Sequence, residues 1–195
     1  MSDDVTWHRG SVDPQRRHGT TGGPGATIWL TGLSGSGKST IAHRVEELLI
    51  DAGNAAYVLD GDNIRHGLNA DLGFSAADRA ENVRRVGEVA RLMADAGLVV
   101  LASLISPYRV DRDRVRAAHQ AAGIPFYEVH VATPLEVCEA RDAKGMYARA
   151  RAGELTAFTG IDDPYEEPDA AELTVDATDD DVDVLARRLV SRVGL

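Results

Sequence analysis

The chain has 195 residues, enough for one ordinary domain. Its 44% apolar and 27% charged residues exclude wholesale disorder. No apolar run, Gly97–Ile105 included, approaches the ~18 residues of a membrane span. The acidic start Met1-Ser2-Asp3-Asp4 offers no apolar leader, and Cys138 stands alone, so the expectation is a soluble, cytoplasmic chain without an internal disulfide.

The net charge of −10 is unevenly placed, because eleven of the 31 acidic residues fall between Asp162 and Asp183, a stretch without Lys or Arg. The remainder is near neutral and open to an anionic ligand, while the acidic end disfavours nucleic acid. Lys38 and Lys144 are the only lysines among 21 basic residues.

In chain order, residues 1–25 are Gly-rich with little periodicity. They read as a flexible or loosely docked extension, which Thr6-Trp7-His8 could pin to the body. The domain proper, 26–195, opens with a strand at Ala26–Thr31. A helix follows at Ser39–Ala52, with Ile41, Ala42, Val45, Leu48 and Leu49 at helical spacing and Gly53 as its stop. A second strand is predicted at Ala55–Leu59 and a helix at Glu81–Ala96, preceded by the cap-like Ser75-Ala76-Ala77-Asp78. Leu98–Ile105 reads as a strand buried on both faces. Helix Asp111–Ala122, strand Phe126–Val131, helix Pro134–Arg141, a weak strand Glu172–Val175 and helix Asp179–Val193 complete the pattern. Strands alternating with helices give an α/β fold with a five-stranded parallel sheet. Ala143–Glu167 fits neither period and reads as a mobile lid.

The chemistry starts at Gly32-Leu33-Ser34-Gly35-Ser36-Gly37-Lys38-Ser39-Thr40, which fits G-x-x-x-x-G-K-[ST] between a strand and a helix. Its glycines let backbone N–H groups turn around phosphate oxygens, Lys38 supplies a point charge, and Ser39 offers a hydroxyl to Mg²⁺. No Asn-Lys-x-Asp guanine motif accompanies it, which argues against a GTPase. The Mg²⁺ carboxylate is sought at a strand end, where Asp60 and Asp62 stand; an Asp-Gly pair is also ordinary turn chemistry. Arg65, Arg79 and the helix start near Asn82 form either a second anion site or a solvated surface. Phe74 and Phe158 either stack a planar base or plug the core. Lys144, Arg149 and Arg151 on the lid either close onto phosphates or stay in solvent. The six histidines lack metal-ligand spacing and read as structural or surface residues.

Five blocks then share one resemblance. They are Gly32–Thr40; Leu59-Asp60-Gly61-Asp62-Asn63-Ile64-Arg65-His66-Gly67-Leu68-Asn69; Asp78-Arg79-Ala80-Glu81-Asn82-Val83-Arg84-Arg85; Ile105-Ser106-Pro107-Tyr108-Arg109; and the lid stretch from Lys144-Gly145-Met146-Tyr147 to Phe158-Thr159-Gly160-Ile161-Asp162-Asp163-Pro164-Tyr165-Glu166. In order and spacing, over roughly Thr6 to Val175, they resemble the adenylylsulfate kinase (APS kinase) family. The resemblance implies a three-layer P-loop kinase fold. It also implies transfer of the ATP γ-phosphoryl group to the 3′-hydroxyl of adenosine 5′-phosphosulfate (APS), giving PAPS in sulfate assimilation.

By that pattern Arg65, Phe74, Arg79, Asn82 and Ile105 contact APS, and Phe158 stacks on the other side of its adenine. Lys144 reaches phosphates from the lid, Asp62 is the base or Mg²⁺-associated carboxylate, and Ser106 matches a serine proposed as a phosphoserine intermediate. Arg141 resembles the residue that packs on the ATP adenine. A homodimer, with a sulfurylase as a further partner, completes what the resemblance implies. Where the family's lid often reads Gly-Leu-Tyr-Lys-Lys-Ala-Arg, this chain has Gly145-Met146-Tyr147-Ala148-Arg149-Ala150-Arg151. Direct in-line transfer needs no phosphoenzyme, which leaves Ser106 the alternative of a strand-end hydroxyl near the acceptor. Two other readings stay open: a kinase for another nucleotide or small alcohol, and a non-catalytic nucleotide-binding regulator.

Overall fold

The centre of the molecule is β1, Ala26–Thr31, all six residues of which are buried. The computed structural model describes residues 6, 8, 10–178 and 181–194. β2 (Ala56–Asp60), β3 (Val99–Ser103), β4 (Phe126–Val131) and β5 (Leu173–Val175) complete a sheet of order β2-β3-β1-β4-β5, parallel throughout. The five-stranded parallel sheet is therefore as the sequence predicts, with strand ends shifted by a residue or two.

Alternation along β1 decides the layers. Ile28 and Leu30 face one side with Ile41, Val45 and Leu49 of α2 (Lys38–Asp51) and Leu185 and Leu189 of α7 (Val182–Val193). Trp29 faces the other side with Val83, Val86 and Ala90 of α3 (Ala76–Asp95) and Val115 of α4 (Arg109–Ala121). Successive strand side chains point to opposite faces, so a strand buried at every position must be covered by helices twice. α3 and α4 cross closely at Gly87, where a Cβ would stand 2.6 Å from a Val115 methyl.

Three elements differ from the sequence reading. Residues 14–21 form a helix, α1 (Pro14–Thr21), started by an Asp13 cap and Pro14 and ended by Gly22 at φ 91°. It has no buried residue, which is why no apolar period announces it. It is tied to the body by an ion pair from Arg17 to Asp95 and by the Ala55 N–H donating to the Thr21 carbonyl. The pinning expected of Trp7 lies outside the described residues. α3 begins at Ala76 rather than Glu81, because Ser75 and Asp78 form a full capping box. The lid contains a short helix, α6 (Met146–Arg151), following α5 (Leu135–Arg141). The α6 amides of Tyr147 and Ala148 donate to the Asp142 carboxylate. The expected final helix starts at Val182; Asp179 and Asp180 lie outside the described residues. No described helix is long and apolar enough to cross a membrane.

Candidate active site

The C-terminal ends of β1, β2 and β3 open onto one cleft of about 540 Å³. On one wall the glycine-rich loop turns into α2. Gly32, at φ 149°, passes so close to β4 that a Cβ would meet the Val131 carbonyl at 2.4 Å. Gly37 serves as N-cap of α2 at φ 100°, with no side chain bonded to the helix end. The first amides of α2 are thus left to a ligand, and the helix dipole favours an anion there. The buried Lys38 ammonium donates to the Leu33 carbonyl at 2.7 Å and to Ser36 Oγ at 3.4 Å. Burial pulls its pKa down from 10.5 to about 8, with nearby Asp60 and Asp62 opposing the shift.

Ser39 Oγ donates to Asp60 Oδ2 at 2.6 Å and lies 3.2 Å from Ser103 Oγ. Burial works to raise the Asp60 pKa. The Ser39 hydroxyl and the N–H groups of Asp62 and Asn63 outweigh it and hold the carboxyl below its ordinary range. A hydroxyl beside an ionised carboxylate is hard oxygen chemistry, which fits Mg²⁺. Asp62 is exposed and forms an ion pair with Lys144 of the lid. Among the described residues no group of three His, Cys, Asp or Glu side chains forms a metal cluster.

The facing wall carries Arg65, Phe74, Arg79, Asn82, Ile105 and Ser106. Phe74 is 57% exposed, with the Arg65 guanidinium over its ring at 4.3 Å and that of Arg79 at 5.9 Å. Arg65 is anchored on the carbonyls of Leu72 and Gly73. Arg79 is anchored on those of Phe74 and, across to the lid, Ala157 at 2.6 Å. Asn82 accepts from the Asn69 amide. Arg141 reaches the carbonyls of Gly35 and Ala177 and borders the donor end.

Several expectations require correction. The start of α3 is no open anion site, since its own Asp78 carboxylate and Ser75 hydroxyl occupy it. The Ser106 hydroxyl is buried, accepting from Trp29 Nε1 at 3.0 Å and donating to Thr31 Oγ1 at 3.0 Å. That geometry suits a loop-holding hydroxyl and lacks the general base a phosphoryl-accepting serine needs. Phe158 does not line the cleft but meets Tyr147 edge-on, centroids 5.0 Å apart. Arg149 and Arg151 pair with Glu154 and Glu139 at the surface. Ser36 is wholly buried within the loop, with its N–H donating to the Leu33 carbonyl at 3.2 Å.

Residues missed in the sequence also contribute. Tyr147 ties the lid to the phosphate loop through the Ser34 carbonyl at 2.9 Å. Tyr108 donates to the Asp163 carboxylate. Ser103 joins Ser39 and Asp60. Tyr108, Tyr147 and Asp163 stand inside the blocks that carry the family resemblance, which is the signal that could have flagged them; Ser103 had only its place at a strand end. His119 and His130 are buried, and burial lowers both pKa values, consistent with structural roles.

Comparison with known proteins identifies this arrangement. Residues 24–176 match the family described as Adenylylsulphate kinase. The chain is 60% identical over 179 residues to the adenylyl-sulfate kinase of Shewanella pealeana, covering 92% of this chain and 86% of that one. Against the adenylyl-sulfate kinase of Geotalea uraniireducens the identity is 57%, covering 88% and 82%. The structure superposes on the Mycobacterium tuberculosis APS kinase CysC, solved in complex with AMPPNP and APS. That match has a TM-score of 0.85 and 54% identity, and it covers 88% of this chain and 99% of that one. The chain belongs to the adenylylsulfate kinase family.

Proposed function

We propose that the cleft performs the family's reaction, transfer of the ATP γ-phosphoryl group to the 3′-hydroxyl of APS, with ATP on the Gly32–Thr40 wall and APS on the Arg65–Asn82 wall. The observation that carries this assignment is the pairing of two unlike anion supports in one cleft. An uncapped helix end beside a buried ammonium faces an aromatic ring flanked by two anchored guanidinium groups. Loop amides and Lys38 take the donor phosphates, and Arg141 borders the base of ATP. Phe74 offers a planar face to the acceptor's adenine, while Arg65 and Arg79 offset its phosphosulfate charge.

Asp62, which lines the cleft and pairs with Lys144, would orient or deprotonate the acceptor hydroxyl, with Lys144 bringing lid charge to it. Ser39 and Asp60 would hold Mg²⁺, which neutralises charge on the donor phosphates. Transfer is then direct, the protein positioning two substrates and balancing charge, with Ser106 holding its loop. Closure of 143–167 as a lid, a homodimer, a sulfurylase partner and a cytoplasmic setting belong to the same proposal and rest on the family resemblance.

The test is ADP release with APS, AMP, adenosine or no acceptor. Turnover confined to APS is the expected result. Turnover with another acceptor alone would reassign the substrate, and ATP binding without turnover of any acceptor would make the chain a regulator.

A further inference from the structure

Arg112 lies in the first turn of α4, outside the cleft, and is 1% exposed. A guanidinium taken fully out of water is expensive unless its donors are matched. Here they are matched on three separate segments. Nε donates to Glu128 Oε1 on β4 at 2.7 Å, one Nη to the Ser106 carbonyl at 2.7 Å, and the other to the Glu166 carbonyl at 2.7 Å. Glu128 also receives Arg116, which pairs with Glu172, so two cations and two anions balance.

The two carbonyls belong to different functional pieces. Ser106 sits in the loop that lines the acceptor wall, with φ at 40°, a backbone region that non-glycine residues avoid unless their surroundings hold them. Glu166 is at the C-terminal root of the lid. The same two pieces meet again through the Glu166 N–H on the Pro107 carbonyl and the Arg109 N–H on the Glu166 carboxylate. Tyr165 reaches Thr31 beneath the same loop.

We propose that Arg112 is a positioning residue that locks the acceptor loop Ile105–Pro107 to the lid root at Asp163–Glu166, and so fixes the half of the cleft that receives APS. This rests on the substrate assignment above. Three acceptors in fixed directions suit a planar fork and cannot all be met by one ammonium, so lysine keeps the charge and loses the geometry. None of the Arg112 hydrogen bonds reaches the donor wall, so ATP binding should be spared.

The experiment compares the parent enzyme with Arg112→Lys and with the charge-balanced pair Arg112→Met/Glu128→Gln, assayed below their melting temperatures. KM for APS should rise about tenfold or more and kcat should fall, with KM for ATP within about twofold. Amide hydrogen exchange should quicken together in residues 105–109 and 163–167 and stay slow in Gly32–Thr40. Folded variants with unchanged APS constants would overturn the proposal, as would equal losses for ATP and APS. If the parent itself fails to turn over APS, the substrate assignment falls. The exchange pattern still decides the lock, because independent behaviour of the two segments would refute it.

Discussion

Two helices point their N-termini toward the same cleft, and the chain treats them in opposite ways. α2 starts at Gly37 with no side chain on its first amides, whereas α3 starts at Ser75 with both halves of a capping box in place. An isolated α3 is stabilised by this arrangement, and a carboxylate at its positive end satisfies the dipole. The same carboxylate repels a second anion. Under the proposed assignment the donor wall would meet phosphate with open backbone amides and Lys38, and the acceptor wall with the side chains Arg65 and Arg79. A helix start becomes a phosphate site only where the sequence withholds the cap.

The most severe way to break that contrast is Lys38→Ala. Loss of the buried ammonium beside the uncapped amides should lower kcat/KM by ~10²-fold or more. The melting temperature should hold or rise, since the folded chain carries the cost of desolvating that charge. A near-parent rate would remove the donor wall from the reaction.

The ionisation of Lys38 sharpens the contrast further. Its pKa of about 8 lies below the ordinary 10.5, so between those values the unfolded chain binds more protons than the folded one. Stability from this group then rises with pH across that window, by at most ~1.4 kcal/mol per unit. The difference in denaturant melts between the parent and Lys38→Met should show it. ATP affinity runs the other way, because the neutral amine no longer attracts phosphate. KM for ATP should climb above pH 8 by up to ~10-fold per unit. A flat profile from pH 7 to 9.5 would mean that the ammonium stays charged or is not used.

What could be read from sequence divides along similar physical lines. The sheet and its long helices were legible because burial on fixed faces imposes a period on Ile41–Leu49 and on Val83–Ala90. The phosphate loop was legible because its geometry demands glycines at set spacing. The α3 cap at Ser75 was visible too, although the helix was placed too far along. α1 and α6 were invisible: one buries nothing, and the other is too short to repeat. The orientation of the Ser106 hydroxyl was beyond reach because Trp29 and Thr31, which hold it, come from a strand far away in sequence. Nothing in the sequence singles out Arg112 among the arginines of its helix. Only the tertiary fold shows Glu128, Ser106 and Glu166 around it.

The mildest prediction tests the capped side. Ser75→Ala removes the hydroxyl that accepts the Asp78 N–H and holds the Asp78 carboxylate. Caps of this kind contribute about 1 kcal/mol, so the melting temperature should fall by roughly 2–4 °C. KM for ATP should not change, since the hydrogen bonds of the Ser75–Asp78 cap stay within α3's own start. KM for APS should shift by less than about twofold, because Arg65 and Arg79 stay anchored on carbonyls of the 72–74 turn and the lid rather than on the cap. Introducing an anion-binding character at α3 would require more than deleting Ser75, since Asp78 would still stand at the helix end. If Ser75→Ala instead tightened APS binding severalfold without loss of stability, the cap would be acting as a barrier to the acceptor, and the two helix starts would differ only in degree.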